Sequence, residues 1–257
     1  KEKMGTLDLQ DVLAFLDDNG LAEDTIVMYS TDNGPHMNSW PDAGMTPFRS
    51  EKNTNWEGAF RVPAFARWPG KFRAGTVLNG IASHQDWLPT LLAAAGEPTI
   101  KENLLKGHKA GNATFTVHID GQNLLPYLTG EAKTSPRDAF YYVNDDGQLV
   151  AMRYGDWKVV FMEQRAKTMQ CWAEPFVTLR LPKLFNLRRD PFERADENAN
   201  VYWDWHMDHV FVLYPAQRMV AQQLKSFVEF PPRQKPASFN LEAVLAQMTD
   251  ATGGGHH

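Results

Sequence analysis

The sequence has 257 residues, of which 43% are hydrophobic, and its formal net charge is −5. This length and composition allow a globular core in one or two domains, and the acidic balance without a basic run argues against a nucleic-acid partner. No apolar stretch reaches the about 20 residues that a membrane span requires, and a single cysteine, Cys171, excludes an intrachain disulfide.

The first hundred residues predict helix and strand units. Within 9–16, apolar residues recur at i, i+3, i+4 and i+7, which predicts a helix that Asn19-Gly20 ends. The apolar run 26–29 is continuous rather than alternating, which predicts a parallel strand buried on both faces. A second short strand is expected over 62–68, followed by a helix over 87–96.

An antiparallel meander is predicted after Pro136. Its three strand-like runs are rich in β-branched and aromatic residues and cover 140–143, 149–153 and 157–161. The dipeptides Asp146-Gly147 and Gly155-Asp156 between these runs are strong hairpin signals. The sequence therefore predicts a small sheet built from consecutive strands.

The remaining segments are less regular. Residues 97–119 are interpreted as a polar connection, and 120–128 as a short helix. A further strand is expected at 184–186. Residues 200–229 are expected to be mostly helical with an interruption at Pro215, and a last helix is expected to begin at Asn240.

A buried parallel strand needs neighbours on both sides, yet the first hundred residues offer at most two strands. We therefore expect the fold class to be α/β, with the C-terminal portion of a larger α/β domain over 1–136. A small C-terminal α+β domain with an antiparallel sheet and helices is expected over 137–250. Residues 251–257 are interpreted as a linker and a tag remnant, so their histidines enter no metal argument.

Oxygen ligands directly follow the strand at 26–29. Asp32 and Asn33 lie at its carboxyl end, where open α/β sheets bind their ligands. Carboxylate and amide oxygens suit Ca²⁺ or Mg²⁺ rather than zinc. Asp-Asn-Gly is also an ordinary turn sequence, so the metal interpretation depends on the residues that follow.

Those following residues carry a resemblance to a known family. The motifs are EKNTNWEGAFRVP at 51–63, RWPG at 67–70, DWLPTL at 86–91, DGQNLLP at 120–126 and LFNLRRDPFE at 184–193. Together with Asp-Asn-Gly they resemble the sulfatase family of the alkaline phosphatase superfamily, specifically its bacterial arylsulfatase-like members. The resemblance runs from about residue 7 to about residue 195.

The resemblance implies a sulfuric ester hydrolase of the arylsulfatase type, with a sulfate ester as substrate. It implies one divalent cation, usually Ca²⁺ with Mg²⁺ as the alternative, to which Asp32 and Asn33 would contribute as metal ligands. Lys52 matches the catalytic, sulfate-binding lysine of the family, and its ammonium group can neutralise charge in the transition state. His36 could either bind substrate or cap the turn, and Glu57 is expected to form a structural pair with Arg61.

The nucleophile of the family is a formylglycine made within a (Cys/Ser)-x-Pro-x-Arg motif. This chain has no such motif, because Cys171 is followed by Trp-Ala-Glu and Ser135-Pro136-Arg137 has the wrong spacing. The resemblance therefore implies that an N-terminal sulfatase segment, absent from this chain, supplies formylglycine and most of the cation site. We expect the chain alone to be inactive.

Two other functions remain open at this point. The chain could be a catalytically silent sulfatase fragment that acts as a binding or assembly module, or a phosphodiester or phosphonate hydrolase of the same superfamily. The incomplete sheet is expected to leave an exposed strand edge, which favours self-association. The resemblance favours a periplasmic or secreted location for the full-length protein, and it leaves the natural ester undetermined.

Overall fold

The computed structural model describes residues 8–42 and 44–241. The helices and strands before residue 138 are α1 (Leu9–Asp18), β1 (Val27–Ser30), α2 (Glu57–Phe60), β2 (Ala64–Arg67), α3 (Trp87–Ala94), α4 (Ile100–Lys106), β3 (His108–Ala110), β4 (Ala113–Phe115) and α5 (Leu125–Thr129). Those after it are β5 (Ala139–Val143), β6 (Leu149–Tyr154), β7 (Trp157–Glu163), β8 (Val177–Asn186), α6 (Ala195–Asn198), α7 (Tyr202–Asp208) and α8 (Leu213–Glu229). Within residues 8–42 and 44–241, no helix combines the length and the apolar character that a membrane span needs.

The N-terminal helix and strand form where they were predicted. Asp8 and Asp11 cap the first turn of α1 reciprocally, and Gly20 follows its end with a φ of +66°. However, β1 pairs with β2 in antiparallel register, and Met28 and Tyr29 are exposed. The prediction of a parallel strand buried on both faces is therefore wrong for the described residues. An apolar run indicates burial, but it does not specify the direction of the neighbouring strand.

The segment interpreted as a polar connection contains α4 and the hairpin of β3 and β4. The helix expected from residue 120 begins only at Leu125, because the preceding backbone is bonded to the start of α3. Gln122 donates its N–H to Asp86 at 2.7 Å, and Leu124 donates to the Thr90 hydroxyl at 2.8 Å. These contacts replace the hydrogen bonds of an additional helical turn.

The meander prediction is confirmed. Strands β5, β6, β7 and β8 form one antiparallel sheet in this order. Consecutive side chains alternate between its faces, so Val160 and Phe185 belong to one core cluster while Val159 and Leu184 belong to the other. Strand β8 is longer than the expected 184–186, because it extends back to Val177 along β7.

The two faces of this sheet are covered by different parts of the chain. Trp56, from the segment before α2, packs edge-on against Phe185 at 5.9 Å between ring centroids. The opposite face is covered by Val212 and Ala216 from the C-terminal helices. The 51–63 segment therefore packs directly on one face of the sheet through Trp56.

The C-terminal helices differ in one detail from the expectation. The chain leaves the α-helical conformation around residues 209–212, between α7 and α8, whereas Pro215 lies in the first turn of α8, where proline is tolerated. The helix expected from Asn240 falls almost entirely outside the described residues.

A buried ion pair joins the two parts of the chain that the sequence predicts as domains. Arg137 donates its Nε–H to Asp86 at 2.8 Å, and both side chains are buried. The same guanidinium also donates to the Asp120 carbonyl at 2.9 Å. The division at residue 136 remains a prediction. The ion pair nevertheless links the start of α3 to the segment directly before β5.

Candidate active site

A broad cleft of about 890 Å³ opens beside the end of β1. Asp32, Asn33 and Lys52 all line it, as does Trp172 from a distant segment. Asp32 is exposed, while Asn33 and Lys52 are half-buried. Within the described ranges, the side chains of Asp32 and Asn33 form no hydrogen bond or ion pair, so their oxygens are free to bind a ligand.

Two glycines allow the loops that carry these residues to lie against each other. Gly34 donates its N–H to the Ala59 carbonyl at 2.7 Å, and a Cβ atom on Gly34 would lie 1.7 Å from the Gly58 carbonyl oxygen. Lys52 donates its backbone N–H to the Pro35 carbonyl at 3.0 Å. Backbone contacts therefore bring the Asp-Asn pair and Lys52 into one cleft.

The carboxylate of Glu51 fastens three loops together. Glu51 is 0% exposed, and its Oε2 accepts the backbone N–H of Met37 at 2.6 Å. Its Oε1 accepts the backbone N–H of Thr168 at 2.7 Å. The sequence alone does not point to this residue, because its spacing does not distinguish a buried glutamate next to Lys52 from a solvated one. The contact to Thr168 could only be found in the folded chain.

His36 lies between Glu51 and Trp172. Its Nε2 is 3.6 Å from Glu51 Oε2 and accepts a hydrogen bond from the Trp172 indole N–H at 3.4 Å. His36 is not among the residues that line the cleft, and it does not cap the short helical turn that follows it. It supports the cleft wall, and its role in substrate binding stays a prediction.

The third loop of the site is a short helical turn over Thr168–Trp172. Asn53 donates its side-chain N–H to the Cys171 carbonyl at 2.6 Å, so this turn is anchored beside Lys52. Trp172 remains 53% exposed, and Lys52 Nζ lies over its indole ring at 5.8 Å from the centroid. This aromatic wall had been given no role by the sequence.

The thiol of Cys171 has no catalytic character. It is 2% exposed and donates to the Ala166 carbonyl at 3.2 Å. Burial, together with the Glu51 carboxylate nearby, raises the pKa of Cys171 to about 11. At neutral pH the side chain is a neutral thiol, and thiolate is the form that acts as a nucleophile.

The expected pair of Glu57 and Arg61 is not formed. Arg61 instead lies over the Phe48 ring, 4.6 Å from its centroid. Glu57 accepts hydrogen bonds from the Tyr142 hydroxyl at 2.6 Å and from Lys158 Nζ at 3.1 Å. Arg61 was the expected partner because it is close to Glu57 in the sequence. The actual partner, Lys158, lies on β7 and is brought to Glu57 only by the fold.

Glu57 belongs to a buried charge cluster beneath the site. Glu193 lies 2.7 Å from Lys158 and accepts the backbone N–H of Glu57 at 2.6 Å. Burial acts to raise the pKa of Glu57, but Lys158, the Tyr142 hydroxyl and Arg153 outweigh it and leave that pKa below its ordinary value. Burial, with Glu57 nearby, raises the pKa of Glu193. The cluster fixes the start of α2 on the sheet.

The residues of this chain fit part of a site for a hard divalent cation. Asp32 and Asn33 offer uncommitted oxygens at one rim of the cleft, whereas Ca²⁺ takes about six to eight oxygen ligands. In the ranges 8–42 and 44–241, no group of three or more His, Cys, Asp or Glu residues could hold a metal ion. These two side chains would therefore be a minority of the ligands in a shared site.

Two family models match this sequence. The model described as Sulfatase matches residues 8–97, and the one described as C-terminal region of aryl-sulfatase matches residues 135–252. Steryl-sulfatase of Mus musculus is 32% identical in an alignment of 204 positions that covers 71% of this chain and 30% of that protein. Arylsulfatase A of Homo sapiens is 31% identical in an alignment of 193 positions that covers 71% of this chain and 35% of that protein.

A solved structure resembles the chain over most of its length. The crystal structure of PsFucS1 sulfatase from Pseudoalteromonas sp. has a TM-score of 0.68 at 28% identity, and the match covers 86% of this chain and 41% of that one. This likeness confirms the expected α/β fold of the alkaline-phosphatase type with an antiparallel sheet. The chain spans about a third of the length of the two curated relatives.

Proposed function

The chain belongs to the sulfatase family, and we propose that it supplies one side of the active site of a sulfuric ester hydrolase. One observation carries the proposal: the free oxygens of Asp32 and Asn33 and the ammonium group of Lys52 line the same cleft. Hydrolysis of a sulfate monoester places negative charge on the sulfate and on the departing oxygen. The ammonium group of Lys52, together with a metal ion bound by Asp32 and Asn33, would stabilise this negative charge.

Lys52 and the Asp32–Asn33 pair would have distinct roles. Lys52 would bind the sulfate oxygens and stabilise charge on the leaving oxygen, and its three N–H donors can follow the group as it moves. Asp32 and Asn33 would hold one side of a divalent cation, preferentially Ca²⁺ and otherwise Mg²⁺. When bound, that cation would polarise the sulfate.

The nucleophile would come from outside these 257 residues. The chain has no (Cys/Ser)-x-Pro-x-Arg sequence, and its one thiol is buried with a raised pKa. We propose that an N-terminal segment of a longer protein supplies a formylglycine and the remaining cation ligands. The names of the relatives support sulfate esters as the substrate class, and an aryl sulfate is the first substrate to test.

The surface around β1 has features that suit contact with another segment of the protein. Within the described residues, β1 pairs only with β2, and the exposed rings of Tyr29 and Phe65 stack at 4.8 Å. A strand edge and apolar side chains in this arrangement favour contact with another chain segment. We propose that the N-terminal segment covers this surface, and that the chain self-associates without it.

The proposal is tested by replacing Lys52 in the longer protein. Lys52→Ala should lower kcat/KM for an aryl sulfate by about a hundredfold or more, as is typical when one charge stabiliser of a transition state is removed. Lys133→Ala, at an exposed lysine outside the cleft lining, is the matched control and should keep normal turnover. Normal turnover of Lys52→Ala would show that the match of Lys52 to the family lysine is accidental.

A further inference from the structure

Trp172 is an exposed aromatic residue in a fixed position. It is 53% exposed, although a tryptophan side chain is among the most favourable to bury. Its indole N–H is donated to His36 at 3.4 Å, and the carbonyl of the preceding residue accepts the Asn53 side chain at 2.6 Å. The ring is therefore oriented by neighbours on two other loops while much of its surface faces solvent.

The position of Trp172 relative to Lys52 gives this exposure a meaning. Lys52 Nζ lies 5.8 Å from the indole centroid, within the range of a cation–π contact. Both residues line the cleft that also contains Asp32 and Asn33. A sulfate held by Lys52 would lie close to the indole ring, so a group carried on its ester oxygen would be within reach of that ring.

We infer that Trp172 is a stacking platform for the ring of the leaving group and thereby determines how strongly the site prefers a ring over a small acyclic group. This inference rests on the proposed function and adds a specificity-determining residue. An aromatic ring and the C–H face of a pyranose share this chemistry, and both can pack against an indole. A small acyclic leaving group would leave the indole surface in water.

Glu51 connects the platform to the charged part of the cleft. Its carboxylate accepts the N–H of Thr168, at the start of the turn that ends in Trp172, and the N–H of Met37, next to His36. These contacts fix the position of the Trp172 turn relative to the loops that carry Lys52 and Asn33. Such preorganisation lets the stacking contact contribute to binding without a new ordering cost.

The test measures binding of unhydrolysable sulfonates to the longer protein by titration calorimetry. Phenylmethanesulfonate carries an aromatic ring, a glucose sulfonate carries a pyranose, and methanesulfonate carries neither. The wild type should bind at least one of the two ring ligands about tenfold more tightly than methanesulfonate. The ring ligand that gains more identifies the source of the ring.

Three variants separate a platform from a structural role. Trp172→Ala should lose the preference for the ring and leave methanesulfonate affinity unchanged, whereas Trp172→Phe should keep most of the preference. Trp203→Ala is the matched control, because Trp203 is 51% exposed and lies outside the cleft lining. Lys52→Ala should weaken all three ligands alike.

The outcomes distinguish this inference from the proposed function. A ring preference that persists in Trp172→Ala, or an equal loss for methanesulfonate, would overturn the platform. Turnover of sulfate esters by a protein without any ring preference would overturn the platform alone. A Trp172-dependent preference in a protein that hydrolyses no sulfate ester would overturn the hydrolase and leave the platform standing. Failure to bind any of the sulfonates would contradict both.

Discussion

Gly34 and Gly58 approach each other so closely that a Cβ atom on Gly34 would lie 1.7 Å from the Gly58 carbonyl oxygen. No rotation of a side chain can relieve that clash, because the backbone fixes the position of a Cβ atom and the carbonyl oxygen belongs to the backbone. Gly34→Ala should therefore push the Asp32–Asn33 loop away from α2 and lower the free energy of unfolding by at least about 2 kcal/mol. Urea denaturation measures this change.

Gly44→Ala is the matched control for that substitution. A Cβ atom on Gly44 would have no heavy atom within 4 Å, so the free energy of unfolding should change by less than about 0.5 kcal/mol. Equal stability of the two variants would show that the loops are not held by this close approach.

Removing the Glu51 carboxylate should loosen the cleft. Glu51→Ala leaves the N–H groups of Met37 and Thr168, whose hydrogen bonds are partly buried, without their acceptor, and each such loss costs about 1–2 kcal/mol, the lower part of the range for a buried group. We expect a decrease of about 3 kcal/mol in the free energy of unfolding. Glu97→Ala, at an exposed glutamate, should change it by less than about 0.5 kcal/mol. Similar values for both would contradict the role given to Glu51.

The Cys171 thiol should react slowly in the folded chain. Its pKa is raised from an ordinary value of 9.0 to about 11, so at pH 8 the thiolate population is about a hundredfold lower than in the unfolded chain. Labelling with a chromogenic disulfide should be slower in buffer than in denaturant by at least that factor. Equal rates would contradict the buried position of the thiol.

The same shift has a consequence for stability. The folded state prefers the protonated thiol, so its contribution is fully present below about pH 9 and is lost as the pH rises towards about 11. Cys171→Ser does not share this titration. The alkaline loss of stability should therefore be smaller in Cys171→Ser than in the wild type.

Local patterns in the sequence predicted the local structure well. Helix α1 followed from its apolar periodicity and Asn19-Gly20, and the meander followed from Asp146-Gly147 and Gly155-Asp156. The direction of β1 could not be predicted, because an apolar run carries no information about its partner. The same limit applied to Glu57, whose partner Lys158 is 101 positions away.

The candidate site was only half accessible from the sequence. Asp32, Asn33 and Lys52 were identified through a family resemblance, and the structure shows that they share a cleft. Glu51 begins one of the family motifs and Trp172 lies in none, but neither was given a role from the sequence, because their places depend on a contact across 117 positions and on a turn anchored by Asn53. Tertiary contacts of this kind leave no periodic trace in the chain.

Calcium binding should be weak in this chain alone. Asp32 and Asn33 can supply only a minority of the about six to eight oxygen ligands that Ca²⁺ requires. Calorimetric titration of the 257 residues should therefore show no affinity in the submicromolar range. Submicromolar binding that Asp32→Ala abolishes would mean that the chain carries a complete cation site.

The most direct measurement compares sulfate release from a chromogenic aryl sulfate by the 257-residue chain and by a longer protein that includes the upstream segment. We predict turnover by the longer protein and none by the chain alone, with or without Ca²⁺, because the chain has Lys52 and part of a cation site but no nucleophile. Turnover by the chain alone, abolished by Lys52→Ala and untouched by Cys171→Ala, would contradict this account.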